Sequence, residues 1–301
     1  MEQKNFDVII IGGSYSGLSA AMSLGRSLRQ VLVIDSGLPC NRQTPYSHNF
    51  ITQDGENPAV ISAKAKLQVN LYKTVHFYNG LAVKAVKKEN GFEISTESGE
   101  VFSSRKILFA AGVKDLLPEI KGFADCWGIS VLHCPYCHGY EVKNEKTAII
   151  ANGEIGFDFA KLISNWTKNL RLCTNGKSTL TLEQTKILRQ HGVQIFEEEI
   201  NFFEHKEGYI EYIIFKNKKK VNVKAIYARP PFEQHCTLPK DLGCDISEQG
   251  LLKVDVMQKT NVAGIFASGD CTTPMRSVSI AVSTGSFAGA VINKELIDED
   301  F

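Results

Sequence analysis

The sequence has no surplus of charge of either sign: 34 lysines and arginines stand against 33 aspartates and glutamates, leaving +1 at pH 7. That balance excludes the basic footprint a nucleic acid needs and any strong attraction to an anionic membrane surface. Long hydrophobic runs are also missing. The longest near the start, Val8 to Ile11, is far shorter than a signal-peptide core or a membrane span, which predicts a cytoplasmic protein with neither nucleic acid nor membrane as partner. The cysteines lack a repeated pair. Cys40, Cys126, Cys173, Cys236, Cys244 and Cys271 are scattered, so the second half of a cysteine zinc site is absent and no metal is expected.

What is present is His133-Cys134-Pro135-Tyr136-Cys137-His138. Cysteines at this spacing can bring their sulfurs to bonding distance with little backbone movement. A nearby helix start or imidazolium would draw a thiol pKa from ~8.5 toward neutrality and supply thiolate at cell pH. A disulfide closing so short a loop adds little to a chain with a large core. In a reducing compartment the pair therefore reads as one that cycles between dithiol and disulfide. His133 and His138 are candidates to shuttle the protons, since imidazole titrates near neutrality. Either ring could instead only stabilise a thiolate or face solvent. Cys126, Cys236, Cys244 and Cys271 are expected to be packing residues.

With 301 residues, 43% of them hydrophobic, the chain is long enough for two domains. Phe6–Ile11 is a continuous apolar strand. Gly12-Gly13-Ser14-Tyr15-Ser16-Gly17 then opens a helix through Leu18, Ala21 and Leu24, and a second strand, 31–34, ends on Asp35. This is the βαβ dinucleotide fingerprint, with pyrophosphate at the helix start and an acid for the ribose; Ser14 replaces the middle glycine. Residues 38–58 read as loop, within which Arg42, His48 and Asn49 are candidate cofactor contacts or simple loop polars. A helix over 59–72 is followed by strands at 75–78, 81–87, 92–96 and 101–103. A further buried strand starts at Lys106 and ends in Ala110-Ala111-Gly112, small enough to admit a flat ligand.

A second βαβ start spans Thr147 to Gly156, with Ala151 at the first glycine position, Glu154 facing any incoming phosphate, and Thr174-Asn175-Gly176 where a 2′-phosphate would need arginine. A helix over 182–191 and a strand over 193–197 come next. Residues 209–215 and 221–227 read as a hairpin around Lys218-Lys219-Lys220, a solvated turn. The strand ending in Gly269-Asp270 and the helix from Ser279 to Leu296 close the chain, and an acid at that strand end suits a flavin ribityl chain.

These motifs, in this order, resemble the low-molecular-weight thioredoxin reductase family of pyridine nucleotide-disulfide oxidoreductases over nearly the whole chain. The resemblance implies an α/β fold of two Rossmann-like (three-layer ββα) domains, the FAD domain discontinuous and the second nucleotide-type domain inserted. It assigns residues 1–115 and 248–301 to FAD and 116–247 to the inserted domain with the C-x-x-C pair. It places Gly12, Gly13, Ser14, Ser16, Gly17, Asp35, Val83, Ala110, Ala111, Gly112, Gly269, Asp270, Ser277 and Val278 at the cofactor. Cys137 would lie against the flavin while Cys134 exchanges with substrate. His138 stands where the family has an acidic proton donor.

Gly12–Gly17, the stretch 47–52 and the segment from Cys126-Trp127-Gly128 to Tyr140-Glu141 are more similar to a side branch. That branch holds the FAD-dependent dithiol oxidases of gliotoxin- and holomycin-type metabolites. Membership there implies a homodimer that oxidises a small-molecule dithiol without tight NADPH use. The alternatives are an NAD(P)H-dependent reductase of a thioredoxin-like protein, a ferredoxin-fed flavin disulfide reductase, and a flavin redox sensor without turnover.

Overall fold

The computed structural model describes residues 4–301. These form two compact units, one of residues 4–42, 58–115 and 232–301, the other of residues 43–57 and 116–231.

The first unit is built on parallel strands β1 (Asn5–Ile11) and β2 (Val31–Asp35), joined by helix α1 (Tyr15–Arg26). Helix α2 (Pro58–Val69) precedes β3 (Val75–Asn79), and an antiparallel ribbon follows: β4 (Ala82–Lys88), β5 (Gly91–Thr96) and β6 (Val101–Phe109). The sheet runs β3-β2-β1-β6-β5-β4, and the strand Ile265–Ala267 also pairs with β6. Strand β6 has two sets of partners. Its first half lies antiparallel to β5, Phe92 opposite Ser104, while its second half continues parallel to Ile265–Ala267, Ile107 opposite Ile265.

Alternation along β1 and β2 sends side chains to two cores. Val8, Ile10, Val31 and Val33 pack with Leu18, Ala21 and Leu24 of α1 and with Ala288, Val291 and Ile292 of the last helix, Val278–Asp300. Ile9, Ile11, Leu32 and Ile34 pack with Phe92, Phe102, Phe109 and Leu252 on the opposite face. Gly285 is what lets the last helix meet α1, since a Cβ there would stand 2.1 Å from the Ser16 carbonyl oxygen.

The second unit carries an all-parallel sheet in the order 194–196, 170–173, 147–150, 225–228, 131–132. Helices Gly153–Ile163 and Leu182–Gln190 belong to the same unit. Phe159, Ile163, Leu172, Leu188 and Tyr227 form one of its cores, and Phe123, Trp127, Phe203 and Phe215 anchor another. An antiparallel sheet of Ile200–Lys206, Tyr209–Phe215 and Lys220–Asn222 completes it.

Several expected boundaries differ from those observed. Strands 101–103 and 106–112 are a single strand, Val101–Phe109, because Ser103, Ser104 and Lys106 all stay in register with β1. The hairpin arm 221–227 is two strands: Lys220–Asn222 stays in the hairpin, whereas Ala225–Ala228 leaves it to lie parallel to 147–150. The run up to Asp270 is extended only at Ile265–Ala267, after which Gly269–Cys271 is a single 3₁₀ turn. Residues 232–247 fall in the first unit, where Phe232–Gln234 pairs with Val113–Asp115, and residues 43–57 fall in the second, where Gln43 Nε2 donates to the Ala124 carbonyl at 3.2 Å. The lysine run is solvated as expected, with Lys219 paired to Glu198 and Lys220 to Glu204.

Candidate active site

Strand Val131–Leu132 delivers His133 and Cys134 to the start of a one-turn helix, Pro135–His138. Cys134 is its N-cap and Pro135 its first residue, where a missing N–H costs nothing. The Cys134 Sγ accepts from the Cys137 backbone N–H at 3.2 Å. The two cysteines are half-buried and are not joined by a disulfide in this structure. The Cys134 thiol is drawn down to about 7, chiefly by the hydrogen bond from the Cys137 side chain. Burial opposes this, while the N–H groups of Cys137 and Tyr136 and the positive charge of Arg229 assist it. Cys134 can therefore supply thiolate near neutral pH.

Arg229 and Tyr227 owe their places to the strand Ala225–Ala228, which pairs Tyr227 with Leu132. Tyr227 is buried, and among the described residues its hydroxyl has no hydrogen-bond partner. Burial, then the charges of Cys134 and Glu141, raise its pKa, so it stays a neutral phenol. Arg229 lies over the Phe159 ring at 4.2 Å. Neither residue was legible beforehand, because assigning 221–227 to a hairpin hid the parallel register that carries them to the cysteines.

The two flanking histidines sit in different surroundings. The His133 ring packs on Trp127, with centroids 6.1 Å apart. His138 meets His48 edge to face at 6.0 Å. Burial, and secondarily the charge of His48, push His138 down to about 4, so its ring is neutral at pH 7. His48, expected among the cofactor contacts, belongs to the second unit and has its Nδ1 3.6 Å from Glu141 and 3.7 Å from Asp54. Asn49 is exposed there, its N–H donating to Asp54 at 2.7 Å. Glu141 was in view in the sequence only as part of the Tyr140-Glu141 match and carried no role.

In the first unit, the glycine-rich turn fits the pyrophosphate end of FAD. Gly12 has φ +106, and a Cβ there would stand 2.4 Å from the Ala110 carbonyl oxygen, so β1 and Ala110-Ala111 meet backbone to backbone. The Gly13 N–H donates to Asp35 Oδ1 at 3.0 Å, which fixes the acid at the end of β2 beside the turn. Ser14 is the N-cap of α1 but makes no side-chain cap, so its side chain does not compete for the helix-start N–H groups that an anion would use. Ser16 Oγ bonds Ser268 Oγ at 2.7 Å, joining the turn to the residue before Gly269. Gly269 and Gly112 have φ +80 and +69, and Ser277 caps the last helix, its hydroxyl accepting from Ile280 N–H at 3.2 Å, with Val278 the first helical residue.

Asp270 stands 3.6 Å from Arg276 Nε, and Arg276 also makes a two-pronged pair with Asp115 at 2.7 and 3.0 Å. Arg276 and Asp115 had no place in the sequence reading. Two expected contacts lie apart from these bonds: Arg42 is exposed and donates to the Pro39 carbonyl, and Val83 on β4 is 48% exposed. Cys126, Cys244 and Cys271 are buried, and burial raises the thiols of Cys126 and Cys236 to about 11 and of Cys271 to about 12, as suits packing groups.

The second glycine turn is closed from within. Asn152 Oδ1 accepts from both the Gly153 and Thr179 N–H groups at 2.8 Å, and Asn152 Nδ2 donates to the Lys177 carbonyl. Glu154, in the first turn of the same helix, is held by Gln184 Nε2 at 2.5 Å.

The family model for pyridine nucleotide-disulphide oxidoreductases matches residues 6–285. The chain is 30% identical to thioredoxin reductase tcpT of Claviceps purpurea over 97% of its own length and 94% of that protein. It is 29% identical to thioredoxin reductase sirT of Leptosphaeria maculans, covering 98% of this chain and 95% of the other. A solved oxidoreductase from Agrobacterium tumefaciens superimposes with a TM-score of 0.91 at 33% identity, over 98% of this chain and 99% of that one.

Proposed function

We propose, for a chain that belongs to the pyridine nucleotide-disulphide oxidoreductase family, that it is an FAD-dependent oxidase of a small dithiol, working without tight NADPH use. The family, the thioredoxin reductase-like relatives and the fold make it a flavin disulfide oxidoreductase. The oxidase direction is carried by one observation: the nucleotide turn of the second unit already spends its first helix N–H on Asn152 and holds a carboxylate, Glu154, in the first helical turn. A phosphate there would meet an oxygen acceptor and a negative charge where it needs donors.

When bound, FAD supplies the acceptor for the electron pair that leaves the cysteines. The chain's own residues do the thiol chemistry. With the pair oxidised, a substrate thiolate attacks the Cys134 sulfur, breaks the Cys134–Cys137 bond and releases Cys137 as thiolate. The substrate's second thiol then attacks its own sulfur in that mixed disulfide. Cys134 leaves as the low-pKa thiolate that Cys137, Tyr136 and Arg229 stabilise. The substrate loses two electrons and two protons, and the pair ends reduced. His138, at the end of the Cys134–Cys137 helix, relays a thiol proton to solvent without holding it, since its ring stays neutral at pH 7.

The turn residues Gly12, Gly13 and Ser14 would hold the pyrophosphate, Asp35 the ribose, and Asp270 the ribityl chain. The family resemblance further supports a homodimer. Mixing the flavin-loaded protein anaerobically with NADPH or NADH, and separately with a dithiol, tests the reading. Bleaching of the yellow colour by the dithiol alone is expected. Fast bleaching by NADPH would instead make the chain a reductase of a thioredoxin-like protein.

A further inference from the structure

Residue types that bind transition metals converge beside the cysteine pair. One ligand atom each from His48, His138 and Glu141 can be chosen so that all three lie within 4.8 Å of one another. Two imidazoles and a carboxylate are the donor set of zinc sites that keep a fourth position open. Ligands on a tetrahedral zinc at about 2.0–2.2 Å from the metal are roughly 3.4 Å apart, so closure asks each side chain to move by about 1 Å. Glu141 has that freedom, being 38% exposed.

The three positions are held by local structure. His138 ends the helix Pro135–His138, and Glu141 follows three residues later in a turn. His48 comes from the segment 43–57, which is closed on itself by the Ser47–Glu56 bridge. Asp54 adds a second carboxylate 3.7 Å from His48 Nδ1.

We propose that His48, His138 and Glu141 form a binding site for a divalent transition metal, zinc by its donor set, and that an ion there acts as a brake on the cysteine pair. The brake half rests on the function proposed above; the binding half does not. A cation at this place takes the lone pair of His138, the ring at the end of the Cys134–Cys137 helix that relays the thiol proton in the proposed function. It also ties the segment 43–57 to the end of the Cys134–Cys137 helix.

The test separates the two halves. A reduced C-x-x-C pair binds zinc by itself, so binding is measured on the flavin-loaded Cys134→Ser/Cys137→Ser protein, titrated with zinc by calorimetry and with cobalt by its visible absorption. One equivalent is expected. His48→Ala and, as the milder change, Glu141→Gln should each weaken it at least about tenfold. Zinc should raise the unfolding temperature of the parent more than that of either variant at the same concentration. No binding, or equal binding in both variants, overturns the site. In the wild-type protein, reduction of the disulfide by excess monothiol should be slowed several-fold by zinc, and much less so in Glu141→Gln. Stoichiometric binding with no slowing would overturn the brake and leave the site standing.

Discussion

The backbone N–H of Cys137 points at the sulfur of Cys134, 3.2 Å away, and the two side chains are hydrogen-bonded as well. One cysteine of the pair thus prepares the other. Alkylation of the reduced protein by iodoacetamide, followed at Cys134 by mass spectrometry, should rise with pH around a midpoint of about 7. Cys137→Ala removes the largest cause and should move the midpoint up most. Arg229→Met removes the smallest named cause and should move it up less. The opposite order would contradict the assigned hydrogen bond.

Replacing the attacked sulfur should stop turnover and spare the colour. Cys134→Ser should lose about 10³-fold or more in dithiol oxidation, as nucleophile removals do. Its flavin absorption should remain that of the parent, because the glycine turn and Asp35 belong to the other unit.

Asp35→Ala should loosen FAD. It removes the acceptor of the Gly13 N–H and the carboxylate offered to the ribose, at about 1.5–3 kcal/mol for such a charged hydrogen bond. Flavin loss on gel filtration or dialysis, reversed by added FAD, measures it. Full retention would place the ribose elsewhere.

His138 should make stability depend on mild acid. Its native pKa is about 4 against the ordinary 6.5 of a histidine, so between those values the unfolded chain binds a proton that the native ring refuses. Stability is then fully present above about 6.5 and falls as pH drops, with a slope of at most about 1.4 kcal/mol per pH unit, levelling off below about 4. Urea unfolding of wild type and His138→Gln across this window should show the slope reduced in the variant.

Much of the fold could be read along the chain. Continuous apolar strands, a glycine turn and a terminal acid have fixed spacing, so Phe6–Asp35 needed no tertiary information. The C-x-x-C pair is equally local. What stayed hidden depends on register between distant segments. Tyr227 and Arg229 reach the cysteines only because Ile226 pairs with Val131, and an alternating apolar stretch fits an antiparallel arm as well as a parallel strand. His48 lies 90 residues before His138, and nothing in either neighbourhood marks them as partners. Arg276 is the same case: its two-pronged bond to Asp115 spans 161 positions.

Strand β6 takes neighbours from both ends of the chain, and this sets an order of events at the ribosome. The second unit has all of its strands once residue 231 has emerged. The first must wait for Ile265–Ala267 and the final helix before Leu108 and Phe109 are covered. The later-starting unit is thus the earlier to finish, and a nascent chain halted near residue 240 would hold a completed thiol centre beside an open, unfinished sheet.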